Sequence, residues 1–212
     1  MLSNAPLPVL RVPRVGGKIR VDAVLDKAPW RAIEPVALAP SNGRPAPAGW
    51  QDTALRVAHD GERLYVAFAA TDADVWGTHR GRNEPIYDEE VVEAFLAPSG
   101  DARRYFELEV NPIGAWFEAR VANPDGARAT MRVDRDWICR GWERAVRVRD
   151  GGWDVEWAIP FASLDAPPGT AWRANFFRID RARGGEFSAW SPTLADPPDF
   201  HVPDRFGTLV FL

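Results

Sequence analysis

The chain has 212 residues, 46% of them hydrophobic and 11% aromatic, enough to build a packed core without disulfide staples. Its 26 basic and 30 acidic residues leave a net charge of -4, so it carries no electrostatic footprint for nucleic acid or an anionic membrane; a neutral or weakly charged ligand suits it better. A single cysteine, Cys139, excludes an internal disulfide, Met1 to Leu10 lacks the basic start and apolar run of a secretory signal, and no stretch approaches the roughly 20 apolar residues of a membrane span.

Residues 1–50 are rich in proline and glycine around one apolar knot, Val24 to Trp30, and read as an entry arm packed on a sandwich. Ala54 to His59 alternates, Asp60-Gly61-Glu62-Arg63 turns, and Leu64 to Ala70 alternates again, which predicts a hairpin. A polar loop from Thr71 to Glu90 leads to a strand at Val91 to Leu96. Tyr105 to Val110 then alternates with period two, Asn111-Pro112-Ile113-Gly114 turns, and Trp116 to Val121 returns as a second hairpin. Ala145 to Arg149 and Trp153 to Ile159 form a third around Asp150-Gly151-Gly152. Pro160 to Asp165 reads as a helical turn, and Trp172 to Ile179 and Thr208 to Phe211 supply the later strands. Turn signals at roughly ten-residue spacing, without sustained helical periodicity, predict one all-β domain over 1–212: a two-sheet antiparallel β-sandwich of jelly-roll type.

Six segments carry a more specific pattern: Leu25-Asp26-Lys27-Ala28-Pro29-Trp30; Leu64-Tyr65-Val66-Ala67-Phe68 with Thr71-Asp72; Glu90-Val91-Val92-Glu93-Ala94-Phe95-Leu96; Glu109-Val110-Asn111; Trp153 to Ile159; and Arg205-Phe206-Gly207-Thr208-Leu209. In this order they resemble the family 9 carbohydrate-binding modules and their DOMON-like relatives, over most of the chain. The resemblance implies a sugar held between two aromatic rings, polar groups from adjacent strands reading its hydroxyls, and structural calcium supporting the loops. It places the rings at Tyr87 and Phe200 and the hydrogen-bonding groups at Glu93 and Asn175, with Glu109, Asn111, Arg178 and Trp190 as further candidates. Phe200→Ala is then expected to abolish sugar binding and leave the fold intact.

Two departures from the family prototype bear on the ligand. The platform rings there are both tryptophan, and tyrosine and phenylalanine stack less area. An arginine there aligns with Glu109 here. Replacing a five-donor fork by an acceptor-only carboxylate changes which hydroxyl pattern fits, so reducing-end recognition of cellulose or xylan does not carry over.

Other readings of the same residues stay open. Tyr105, Glu107 and Glu109 share one strand face, and Trp116, Glu118 and Arg120 the analogous face of the returning strand. Together they form either a sugar-reading groove or a solvated outer face with cross-strand ion pairs. Glu107 and Glu109, about 6.5 to 7 Å apart at their Cα atoms, also raise an inverting glycoside hydrolase. A third alternative is a sandwich repurposed for partner binding. Asp72, Asp74, Asp88, Glu89 and Glu90 are hard oxygen ligands suited to calcium or simply a solvated acidic loop. Met131 and the scattered His59, His79 and His201 match no haem motif. Trp30, Trp153, Trp157 and Trp172 read as core, and Trp190 as either a platform extension or sheet-edge core.

Overall fold

The computed structural model describes residues 6–165, 171–181 and 184–212. Its first strands are β1 (Val9–Val12), β2 (Val36–Ala37), β3 (Ala39–Pro40), β4 (Thr53–His59), β5 (Arg63–Thr71), β6 (Val91–Ala97) and β7 (Arg104–Val110). They are followed by β8 (Trp116–Ala122), β9 (Arg132–Asp134), β10 (Glu143–Arg149), β11 (Gly152–Pro160), β12 (Trp172–Asp180), β13 (Glu186–Ala189) and β14 (Gly207–Phe211). A nine-stranded sheet runs β1-β14-β12-β6-β7-β8-β9, with β13 and β3 attached beside β12, and a five-stranded sheet runs β10-β11-β5-β4-β2. The pairings are antiparallel except β1 with β14, so the chain forms the expected two-sheet sandwich.

All three predicted hairpins form, β4–β5, β7–β8 and β10–β11, and Phe161–Leu164 makes the expected helical turn. The short strands β1, β2, β3, β9 and β13 were not legible, because two to four residues are too few for an alternating pattern to show. Two glycines are dictated by close approach. At Gly152, which closes the third hairpin at φ 156°, a Cβ would collide with the Ala70 carbonyl. At Gly207 it would lie 2.5 Å from the Trp190 ring.

Three apolar layers follow from the two sheets. Leu55, Val66, Phe68, Val155 and Trp157 from the small sheet meet Val92, Leu96, Leu108, Trp172 and Phe176 from the large one between the sheets. The entry arm covers the outer face of the small sheet, where Ile19 and Trp30 pack on Ala58, Tyr65, Ala67 and Ala158. Glu156, in the middle of that face, fixes the arm. It accepts the backbone N–H groups of Asp22 and Ala23 at 2.8 and 2.9 Å and the Trp30 indole N–H at 2.7 Å, and pairs with Lys27 at 2.7 Å. The outer face of the large sheet carries Val91, Phe95, Phe117, Phe177 and Ile179, roofed by Phe200 and Phe206. Every tryptophan predicted as core is fully buried, Trp30 under the arm and Trp153, Trp157 and Trp172 between the sheets.

Candidate functional site

The outer face of the large sheet opens into a cavity of about 280 Å³. Strand alternation puts Glu93 of β6 and Glu107 and Glu109 of β7 on this face, because their neighbours Val92, Ala94, Leu108 and Val110 point between the sheets. Glu93 and Glu109 are direct cross-strand partners. Tyr87 comes from the one-turn segment Ile86–Asp88 just ahead of β6, and Phe200 and His201 from the crossing between β13 and β14. The cavity is completed by Arg128, Arg135 and Arg181. A second, larger groove of about 680 Å³, beside Phe106 and Arg120, shares none of the eight residues to which the family resemblance assigns ligand binding.

Each wall group has a definite support. Tyr87 is half-buried and meets Phe117 edge-on at 5.7 Å. The Phe200 ring lies parallel to Phe177, 4.1 Å between centroids, and is only 6% exposed. Truncating it opens a hole in the outer layer at a cost of about 3–5 kcal/mol, so Phe200→Ala tests packing and ligand binding together. His201 Nδ1 shares a 2.6 Å hydrogen bond with the Tyr105 hydroxyl, and its Nε2 is 3.6 Å from Glu107. Burial pushes the imidazole down to about 3, so it is neutral at ordinary pH.

The three glutamates are buried, with 1 to 5% of their surface exposed. An oxygen of each lies within 4.8 Å of the others'. Burial raises all three carboxyl groups, Glu107 to about 7. Like charge reinforces burial at Glu93, which faces Glu107, and at Glu109, which faces both others. Glu107 and Glu109 are thus on no solvated face, and their oxygens are closer than the roughly 6.5–9.5 Å that separates an inverting pair.

Four predicted residues do not reach the cavity. Asn175 is buried beside it, but its Nδ2 donates to the Ser191 carbonyl at 2.8 Å and its Oδ1 accepts from Ser191 N at 2.9 Å, pinning two chain segments. Asn111 closes the β7–β8 turn, accepting from Ala115 N at 2.8 Å and donating to the His79 carbonyl at 2.9 Å. Trp190 packs on Phe176 between the sheets. Arg178 points inward from β12 and ties the two sheets together, bonding Asp72 and Asp180 at 2.8 and 3.0 Å and the Thr71 carbonyl at 2.8 Å. The combined groove with Trp116, Glu118 and Arg120 is also absent, because Glu107 and Glu109 face Ala119 and Phe117, and Glu118 lies on the other side. Glu118 there accepts from Arg82 Nε at 2.7 Å and Cys139 N at 2.8 Å.

The predicted acidic loop divides. Asp74 and Asp88 are exposed, Glu89 is used up holding Thr78 and His79, and Asp72 and Glu90 join Asp180 in a buried cluster. Arg178 supplies the positive charge there. Burial and the neighbouring Asp72 raise Glu90 to about 9, so it stays protonated. Structural calcium does not fit a cluster that already holds its own cation. Sequence reasoning missed Asp180, and also Arg128, Arg135, Arg181 and Asp199 at the cavity, none of which lies in a patterned motif, and Phe117, which lies in the predicted strand Trp116 to Val121. His201 had one available signal, its position next to the predicted ring Phe200.

A two-sheet sandwich with an aromatic and carboxylate cavity on one outer face defines a ligand-binding module. The chain belongs to carbohydrate-binding family 9, whose family model matches residues 21–211, and its function is non-catalytic carbohydrate binding. An "Extracellular protein" of Arthroderma benhamiae is 27% identical over 216 residues, covering 93% of this chain and 95% of that one. Among solved structures, a candidate carbohydrate-binding protein from Bacteroides uniformis superposes with a TM-score of 0.81 at 22% identity, over 98% of this chain and 100% of that one. A family 9 module from Caldicellulosiruptor kristjanssonii in complex with cellotriose gives 0.69 at 16% identity, over 96% and 93%. The glucose complex of a family 9 module from the same organism gives 0.66 at 16% identity, over 95% of both chains.

Proposed function

We propose that this chain holds a single ring of a gluco-configured saccharide in the cavity lined by Tyr87, Phe200, Glu93, Glu107 and Glu109. The observation that carries the reading is convergence: three separate chain segments bring two aromatic rings and three hydroxyl-reading carboxylates to one opening. Sugar rings present C–H faces that pack on aromatic surfaces, and hydroxyls that need paired acceptors and donors. At about 280 Å³ the cavity is at the small end of ligand sites, which suits one ring rather than an extended chain. The glucose and cellotriose complexes of the Caldicellulosiruptor relatives support the same class of ligand. Glu109, an acceptor where the family prototype has a donor fork, makes ring hydroxyls the groups it reads.

Calorimetric titration with glucose, cellobiose and cellotriose tests this, with Tyr87→Ala as the variant because that ring is half-buried and its loss leaves the outer layer closed. Saturable binding that weakens about tenfold, a loss of roughly 1.4 kcal/mol, is the expected result. Absence of heat with all three sugars would remove the saccharide from this cavity, and equal affinity in the variant would remove Tyr87 from the site.

A further inference from the structure

We infer that Glu93, Glu107 and Glu109 form a binding site for a hard divalent cation, calcium fitting best, in the floor of the cavity. Buried carboxylates need a counter-charge or hydrogen-bond donors. The arginines that line the cavity are engaged elsewhere: Arg128 clasps Asp199 at 2.7 Å, Arg135 lies 5.3 Å over the Phe117 ring, and Arg181 lies 4.9 Å over Phe187. His201 Nδ1 is taken by Tyr105, and its Nε2 stops 3.6 Å from Glu107, beyond hydrogen-bonding distance. Among the described residues, no N–H or O–H donor reaches Glu93 Oε1 or either oxygen of Glu109, although all three atoms are buried. These are unpartnered acceptors aimed at one point.

The spacing fits an ion. One oxygen from each residue lies within 4.8 Å of the others', the span of oxygens around a single cation with bonds of about 2.3–2.6 Å. Two adjacent strands set this spacing, because Glu93 and Glu109 are cross-strand partners and Glu107 is two residues along the same face. Three carboxylates, each able to turn bidentate, supply about half of the roughly 6–8 oxygens calcium takes, and water from the open side completes the shell. The Asp72–Glu90–Asp180 cluster has the same oxygen spacing, but there Arg178 provides the positive charge. Among the described residues no arginine forms an ion pair with the cavity glutamates; Arg128, Arg135 and Arg181 act on them only through space. The site stands on the carboxylates alone. A role for the ion in presenting ligand positions to sugar hydroxyls rests on the saccharide reading.

The test is calcium titration of chelator-treated full chain at pH 7.5 by calorimetry, with terbium luminescence sensitised by the nearby tyrosines as a second readout. Uptake of one calcium ion, and a melting temperature that rises with calcium, is expected for the wild type. Glu93→Gln and Glu109→Gln keep side-chain shape, so both should fold; each should weaken calcium at least tenfold, while Glu90→Gln leaves it unchanged. No uptake at millimolar calcium by folded wild-type protein overturns the site. Equal uptake in both glutamine variants also overturns it, placing the ion elsewhere. Heat on adding glucosamine but none on adding calcium overturns it in favour of an ammonium-reading floor. Calcium uptake with calcium-independent sugar binding removes only the coupling.

Discussion

Glu156 and Glu109 are both buried glutamates in the middle of a sheet's outer face, yet their surroundings are opposite. Glu156 accepts from two backbone N–H groups and an indole and pairs with Lys27, so every part of it is used to fasten the entry arm. Glu109 has only other carboxylates within reach among the described residues. A fully satisfied buried charge is part of the fold. An unsatisfied one, facing an open cavity, is held in readiness for something outside the chain. The Asp72–Arg178–Asp180 group belongs with Glu156, since its charges are matched within the protein and link the two sheets.

The largest effect on this contrast is expected from truncating Glu156. Glu156→Ala should cost about 3–5 kcal/mol in chemical denaturation, because it leaves the Trp30 indole and two backbone N–H donors without their acceptor in a buried layer, while Lys27 keeps Asp22. A loss under about 1 kcal/mol would show that the arm holds by apolar packing alone.

A pH-dependent effect belongs to Glu90, which faces Asp72, Asp180 and Arg178. Its carboxyl titrates near 4.5 when unfolded and near about 9 in the fold. Stability linked to this group is therefore complete below pH 4.5 and declines as pH rises toward 9, at up to about 1.4 kcal/mol per pH unit. Glu90→Gln should flatten that share of the slope in denaturation curves recorded from pH 5 to 9. An unchanged slope would mean that Glu90 is ionised in the fold.

The smallest expected change sharpens the contrast by its sign. Removing one like charge from the cavity, Glu109→Gln should leave the calcium-free protein as stable as wild type at pH 8, or more stable by about 1 kcal/mol. A loss of several kcal/mol would instead class Glu109 with Glu156 as a structural residue.

Of the eight predicted ligand-binding residues, Tyr87, Glu93, Glu109 and Phe200 line the cavity, and Asn111, Asn175, Arg178 and Trp190 do not. The others were diverted by different contacts. Arg178 is one position from Phe177 and Ile179, which face the cavity side, and period two alone sends it to the opposite face, between the sheets. Asn175 is on the cavity side, but Ser191, sixteen residues away, occupies both ends of its amide. Trp190 was open between platform and core, and the close approach of Gly207 decided for core.

The sequence was enough for the longer strands, the three hairpins, the two-sheet class and the family, because alternation and turn chemistry are local and survive without tertiary contacts. Only the tertiary structure decided which face of each strand looks into the cavity and which buried acid finds a partner. Those answers depend on groups far apart in the chain, such as Glu156 with Asp22 and Arg178 with Asp72, which no local pattern encodes.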